Sequence, residues 1–146
     1  SANARPAGRP PGKSTAAGYI DRGKNYSSVW VNEFIQDMDK AYAAADAVIS
    51  RSGALTVSEL CVVKKAVVFV PYPYAAEDHQ TVTAQYLVNR DAALMIKDEE
   101  APARLFSAAV TLAKDEELQE KLQKNIAAFA VTDADARVAE EIYKYI

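Results

Sequence analysis

Residues 66–70, Ala-Val-Val-Phe-Val, form an unbroken run of small, β-branched and aromatic side chains, closely followed by Pro71 and Pro73. A run without polar alternation is typical of a strand covered on both faces, and the prolines mark its end because they lack the N–H that a strand donates. Fully covered strands belong to parallel sheets, in which helices connect successive strands. This run therefore predicts an α/β fold.

Short apolar runs and stretches of helical periodicity alternate from Val29 onward. Strands are predicted at 29–31, 47–49, 66–70 and 92–96, and helices at 36–45, 55–63, 79–88, 101–113, 116–129 and 134–145. Because helical crossovers place helices on the two sides of a parallel sheet, the order predicts a Rossmann-like sheet with helices on both faces.

Composition excludes several classes of protein. A chain of 146 residues is enough for one domain, and its single cysteine excludes an internal disulfide. One histidine and one cysteine are too few soft ligands for a structural zinc site, and we expect no metal and no cofactor. No apolar run reaches the roughly 20 residues of a transmembrane helix. The net charge of −3 argues against a nucleic-acid partner.

Residues 1–28 differ from the rest of the chain. They carry a net charge of +4, so that residues 29–146 carry −7, and they hold four of the five glycines. This composition without an apolar period predicts a poorly ordered or non-native leader at 1–28, followed by the domain at 29–146. Residues 12–15, Gly-Lys-Ser-Thr, match the end of a phosphate-binding P-loop. However, Ala7 occupies the position of the motif's first glycine, and Pro10 and Pro11 remove N–H donors, so we do not assign a P-loop.

Gly53 is the only glycine between residues 29 and 146, and it follows the predicted strand at 47–49. The carboxyl ends of parallel strands are where such sheets bind ligands. A glycine there permits a positive φ or the close approach of a ligand, and the helix that follows presents free N–H groups suited to a diphosphate. Arg51 would add a full positive charge. The alternative is that Gly53 only makes a tight turn.

Thr56 and Glu59 have the spacing of a capping box, in which Thr56 caps the helix and Glu59 reaches back to it. In the alternative, the Glu59 carboxylate accepts hydrogen bonds from vicinal ribose hydroxyls, as carboxylates do in dinucleotide-binding folds. The residues alone leave both interpretations open.

Two further segments follow predicted strands. Asp78 is suited to cap the helix that begins at His79, and with His79 and Gln80 it supplies polar groups where a sugar would lie. Phe34 and Ile35 follow the first predicted strand, and an aromatic ring there could stack on a base. The alternatives are a capped helix with a surface histidine and an ordinary core phenylalanine.

Taken together, these segments resemble the carboxyl-terminal half of the MurG family, from about Val29 to the end of the chain. The resemblance rests on 34–38 (Phe-Ile-Gln-Asp-Met), 41–42 (Ala-Tyr), 45–46 (Ala-Asp), 51–59 (Arg-Ser-Gly-Ala-Leu-Thr-Val-Ser-Glu), 69–72 (Phe-Val-Pro-Tyr) and 78–80 (Asp-His-Gln). Members of this family are N-acetylglucosaminyltransferases that convert lipid I to lipid II in peptidoglycan synthesis. The resemblance implies the C-terminal domain of a GT-B glycosyltransferase, which holds the donor UDP-N-acetylglucosamine.

The resemblance also implies roles for individual residues. Phe34 would stack on the uracil, Ile35 would meet it through its backbone, and Glu59 would bind the ribose hydroxyls. The loop Ser52–Thr56, which includes Gly53, Ala54 and Leu55, would face the diphosphate and sugar, and Gln80 would bind the N-acetylglucosamine ring. Two positions depart from the family pattern: His79 stands where a second glutamine is frequent, and Thr83 where an asparagine is common.

The family's amino-terminal half, which binds the lipid acceptor and supplies the candidate general base, has no counterpart in these residues. We therefore expect no catalytic residue in this chain and no activity of the chain alone. The resemblance implies a cytoplasmic protein, peripheral on the inner face of the bacterial cell membrane. Two alternatives remain: the donor domain of another GT-B enzyme that transfers a hexose from UDP to a lipid, and a non-catalytic α/β interaction domain.

Overall fold

The computed structural model of the protein describes residues 27–132. The chain divides into two compact units, residues 1–43 and 44–146. Most of the predicted leader, the P-loop-like residues 12–15 and the predicted helix at 134–145 lie outside the described residues.

The described part of the first unit contains no strand. Val29 and Trp30 are exposed, and no other strand within residues 27–132 pairs with them, so the strand predicted at 29–31 is wrong. A three-residue apolar run does not form a strand without a neighbour to complete its hydrogen bonds. The Asn32 side chain instead organises a local turn, donating to the carbonyl of Phe34 at 2.8 Å and accepting from the N–H of Glu33 at 3.1 Å. Helix α1 (Met38–Ala44) follows and is shorter than predicted.

The second unit has a three-stranded parallel sheet with strand order β1-β2-β3. Its strands are β1 (Ala47–Ser50), β2 (Ala66–Phe69) and β3 (Leu94–Met95), and its helices are α2 (Ala54–Val63), α3 (His79–Val88), α4 (Ala101–Lys114) and α5 (Glu116–Ile126). Short 3₁₀ turns occupy Ala76–Asp78, Asp98–Glu100 and Ala127–Phe129. The predicted α/β class with a parallel sheet is confirmed.

Strand β3 is shorter than predicted. The N–H of Ala92 donates to the carbonyl of Leu87 at 2.9 Å and so closes the carboxyl end of α3 instead of joining the sheet. Ala92 and Ala93 are nevertheless buried, which explains why their apolar character predicted a strand.

The core is built around β2, as its continuous apolar sequence predicts. Every residue from Ala66 to Phe69 is 0% exposed. Ala66 and Val68 pack with Leu112 of α4 and Leu122 of α5 in one buried cluster. Because successive side chains of a strand point to opposite faces, Val67 and Phe69 are buried on the other side. Both faces of β2 are therefore covered.

The register of the strands places their carboxyl ends side by side. Ser50 is paired with Phe69, and Phe69 with Met95. The N–H of Val70 donates to the carbonyl of Ser50 at 2.8 Å, and the N–H of Ile96 donates to the carbonyl of Phe69 at 2.9 Å. The segments that follow all three strands consequently share one edge of the sheet, which we call the carboxyl edge.

Candidate functional site

Two segments that the sequence predicts separately as parts of a site meet at the carboxyl edge. The hydroxyl of Ser52, after β1, donates to the carbonyl of Gln80, at the start of α3, at 2.7 Å. The side-chain oxygen Oε1 of Gln80 accepts the N–H of Tyr72, after β2, at 3.0 Å. Ser52 is only 1% exposed, so its hydroxyl serves this contact inside the protein. The loops after β1 and β2 and the first turn of α3 thus form one connected group.

Gly53 is the N-cap of α2, with φ −65° and ψ 147°. Any residue adopts these angles, so of the two reasons for a glycine at this position the positive φ is excluded, and the close approach of a ligand stays a prediction. A Cβ atom at Gly53 would lie 3.9 Å from Nε2 of Gln80, which is an ordinary contact distance. Neither the backbone conformation nor crowding within the described residues requires a glycine at this position. There is room for a Cβ atom at Gly53, with Nε2 of Gln80 as its neighbour.

The amino terminus of α2 presents backbone donors. Gly53 provides no side-chain cap, and no acidic residue lies in the first turn of the helix. The first N–H groups of a helix have no partner within the helix, and they coincide with the positive end of the helix dipole. Ala54 and Leu55 are exposed, the latter by 75%, so this terminus opens to solvent. Such a terminus is suited to bind an anion.

The capping-box interpretation of Thr56 and Glu59 is wrong. Helix α2 begins at Ala54 with Gly53 as its N-cap, so Thr56 lies inside the first turn. The helix starts earlier than the capping-box pattern indicates because Ala54 and Leu55 both have high helix propensity. Glu59 lies one turn after Thr56, on an exposed position of α2.

The first turn of α3 is more irregular than predicted. Asp78 stands at the N-cap position, but its φ is 57° and its side chain caps no N–H group, so the predicted capping by Asp78 is wrong. Glu77 also has a positive φ, so two consecutive left-handed residues precede α3. His79 is exposed, with its Nε2 3.3 Å from a carboxylate oxygen of Glu77.

Arg51 is engaged by the protein itself. Its Nη1 donates to the carbonyls of Val70 and Pro71, each at 3.1 Å, and to Oδ1 of Asp98 at 2.5 Å. The guanidinium also lies 5.7 Å from the centre of the Tyr72 ring. We call the contact between Arg51 and Asp98 the rim bridge.

Asp98 was not among the residues singled out from the sequence. It lies in the 3₁₀ turn after β3, at the same edge as Arg51 and Val70. A usable signal was present, since Asp98 is the first acidic residue after a predicted strand, and parallel strand ends converge.

Phe34 and Ile35 belong to the first unit and lie just before α1. Phe34 is 72% exposed, so the alternative of an ordinary core phenylalanine is wrong.

Within residues 27–132, no three His, Cys, Asp or Glu side chains lie close enough together to hold a metal ion. No helix in the same range is both long and apolar enough to cross a membrane.

Most of the chain matches a known protein family. The model of the glycosyltransferase family 28 C-terminal domain matches residues 13–138, which is most of the chain. The chain belongs to this family. The match begins within residues 1–28, upstream of Val29.

Curated relatives from Cytophaga hutchinsonii and Parabacteroides distasonis both carry the name UDP-N-acetylglucosamine--N-acetylmuramyl-(pentapeptide) pyrophosphoryl-undecaprenol N-acetylglucosamine transferase. The chain is 44% identical over 130 residues to the Cytophaga hutchinsonii protein, covering 88% of this chain and 35% of the relative. It is 48% identical over 118 residues to the Parabacteroides distasonis protein, covering 81% of this chain and 32% of the relative. The chain thus spans about a third of the length of these relatives.

A solved structure agrees. The crystal structure of MurG from Acinetobacter baumannii superimposes with a TM-score of 0.71 at 36% sequence identity, over 80% of this chain and 35% of that one. The resemblance to the MurG family and the predicted GT-B C-terminal domain fold are confirmed.

Proposed function

We propose that this chain is the donor-binding part of an inverting glycosyltransferase that moves N-acetylglucosamine from UDP-N-acetylglucosamine to lipid I and forms lipid II. The family match and the name shared by the curated relatives support this substrate pair. The proposal extends to a protein that is peripheral on the inner face of the bacterial cell membrane.

The observation that carries the proposal is the amino terminus of α2 behind Gly53. Gly53 lacks a Cβ atom that the protein's own packing would tolerate, and the terminus offers donors with no acidic residue in the first turn. A ligand that approaches the backbone closely and carries negative charge explains both features. The diphosphate of a sugar nucleotide is such a ligand.

Roles for the remaining residues follow from the family resemblance and from the contacts at the carboxyl edge. We assign the uracil to Phe34 and the backbone of Ile35, the ribose hydroxyls to Glu59, and the sugar to His79 and Gln80. Since Oε1 of Gln80 accepts the N–H of Tyr72, its Nε2 is the group left to donate, and it faces the space beside Gly53. Gln80 would therefore donate to a sugar oxygen.

The chemical task of the proposed donor-binding chain is to stabilise the leaving group. In the transfer, the muramyl 4-hydroxyl of lipid I attacks the anomeric carbon, the bond from that carbon to the UDP oxygen breaks, and UDP departs with the bond's electrons. The negative charge that grows on the diphosphate would be met by donors that α2 already orients, so no reorganisation is needed as the bond breaks.

The hydroxyl's proton must go to a base, and we assign none to this chain. We propose that the acceptor site and the base lie in a second domain and that the 146-residue chain alone does not convert lipid I.

Calorimetric titration with UDP and UDP-N-acetylglucosamine tests the donor site. We expect saturable binding of both, and weaker competition by UDP-glucose and UDP-galactose. Preference for one of those two hexoses would indicate another lipid glycosyltransferase, and absence of binding at millimolar UDP would favour an interaction domain.

Glu59→Ala provides the sharper arm of this experiment. Loss of hydrogen bonds to a carboxylate should weaken UDP binding by about tenfold or more, while the fold, checked by circular dichroism, is retained. The matched control is Glu117→Ala, on an exposed position of α5, which should leave UDP affinity unchanged. Equal affinity of the Glu59→Ala variant and the parent would remove Glu59 from the site.

A further inference from the structure

We propose that Asp98 is a positioning residue for the donor site. It holds the Arg51 guanidinium across the end of β2, and the rim bridge thereby fixes the loop that carries Gly53 and the loop that carries Tyr72. The inference rests on the proposed function, because it concerns the diphosphate site at α2.

The geometry spans all three strands. Arg51 directly follows β1, the carbonyls of Val70 and Pro71 directly follow β2, and Asp98 lies three residues after β3. One nitrogen, Nη1 of Arg51, donates to both carbonyls and to the carboxylate. A hydrogen bond in which both partners are charged is stronger than one between neutral groups, so Asp98 fixes the nitrogen on which the two carbonyl contacts depend.

The rim bridge connects to the donor site through covalent neighbours. Ser52 follows Arg51 in the chain, and its hydroxyl donates to the carbonyl of Gln80. Tyr72 follows Pro71, and its N–H donates to the side chain of Gln80. A shift of the Arg51 guanidinium would therefore move both segments that orient Gln80 and place Gly53.

A different role for Arg51 makes the opposite prediction. If the guanidinium bound the diphosphate directly, Asp98 would compete for it, and the Asp98 charge would repel the ligand. Removal of that charge would then raise UDP affinity on electrostatic grounds. If the rim bridge positions the loops, the same substitution lowers UDP affinity. The sign of the change separates the two roles.

The test uses the whole 146-residue chain with Asp98→Asn and the control Glu99→Gln. Both substitutions remove one negative charge from the same 3₁₀ turn, and Glu99 is exposed. We expect Asp98→Asn to weaken UDP binding by about five- to tenfold, measured well below the melting temperature of both variants, and Glu99→Gln to stay within about twofold of the parent. Unchanged or tighter binding by Asp98→Asn would overturn the proposal.

Hydrogen exchange of the unliganded chain is a second test of the role of Asp98, and it needs no ligand. Asp98→Asn should speed exchange of the Tyr72 amide, which donates to Gln80, and of the Val57 amide, which donates to the carbonyl of Gly53, whereas Glu99→Gln should not. Unchanged exchange at these amides would overturn the proposal even if the parent chain did not bind UDP. Failure of the parent to bind UDP would instead count against the proposed function, so the two failures are distinguishable.

Discussion

The interior of the sheet and its carboxyl edge are held together by different means. In the interior, Ala66 to Phe69 are fully buried apolar residues, and their packing stabilises the folded domain. At the edge, Arg51, Ser52 and Gln80 use side chains to bind backbone groups of other segments. The interior of the sheet therefore provides the stability of the domain, while the carboxyl edge fixes the positions of groups that a ligand would meet.

Phe69→Ala should produce the largest change in stability. It leaves a cavity in a fully buried position, and the free energy of unfolding should fall by about 3–5 kcal/mol. Urea unfolding followed by circular dichroism measures this loss. The control, Tyr74→Ala, truncates a side chain that is 71% exposed and should change the free energy of unfolding by less than about 0.5 kcal/mol. A Phe69→Ala loss below about 1 kcal/mol would contradict the description of the core.

Ser52→Ala tests the contact that links the two loops. The substitution removes the Ser52 hydroxyl, which donates to the carbonyl of Gln80. The free energy of unfolding should therefore fall by about 1–2 kcal/mol. Unlike Phe69→Ala, it should also weaken UDP binding at temperatures where the chain remains folded. The matched control, Ser58→Ala, lies on an exposed position of α2, where its hydroxyl bonds only the carbonyl of Ala54 within the helix. If UDP affinity falls equally in the Ser52→Ala and Ser58→Ala variants, Ser52 has no specific role in the donor site.

Gly53→Ala separates stability from binding most clearly. The backbone angles suit alanine and the Cβ meets no close atom, so the free energy of unfolding should change by less than about 0.5 kcal/mol. UDP binding should weaken by about tenfold or more, because the methyl group occupies the open space that we assign to the ligand. Calorimetry and urea unfolding on one preparation measure both. An unchanged UDP affinity would mean that no ligand approaches Gly53.

Cys61 gives the smallest expected effect and belongs to the interior. Burial raises the pKa of its thiol above the ordinary value of 9.0. As pH rises through that value, the thiol of the unfolded chain ionises before the thiol of the folded chain, so this group should lower the free energy of unfolding. The difference between unfolding curves of the parent and of Cys61→Ala isolates the effect. A difference that does not change between pH 8 and 10 would contradict it.

The sequence predicted the interior better than the edge, for a physical reason. The run at 66–70 and the helix at 79–88 are determined by neighbouring residues, and both were found where predicted. The run at 29–31 failed because a strand also requires a partner. The helix predicted at 55–63 begins one residue earlier, at Ala54, and only the capping-box interpretation of Thr56 placed its start too late.

The contacts at the edge join residues far apart in the chain. Arg51 and Asp98 are separated by 47 residues, and no local pattern specifies that they meet. The sequence did indicate that the segments around Gly53 and Gln80 would lie at the same edge, and they do. The roles assigned to Phe34, Glu59 and His79 in binding a sugar nucleotide stay predictions.

An NMR titration of the ¹⁵N-labelled chain with UDP-N-acetylglucosamine tests most directly whether the amino terminus of α2 receives a diphosphate. We expect saturable shifts that are largest for the amides of Gly53, Ala54 and Leu55, since backbone N–H groups that donate to phosphate change their environment most. Saturable shifts confined to other parts of the chain, with these three amides unmoved, would contradict it.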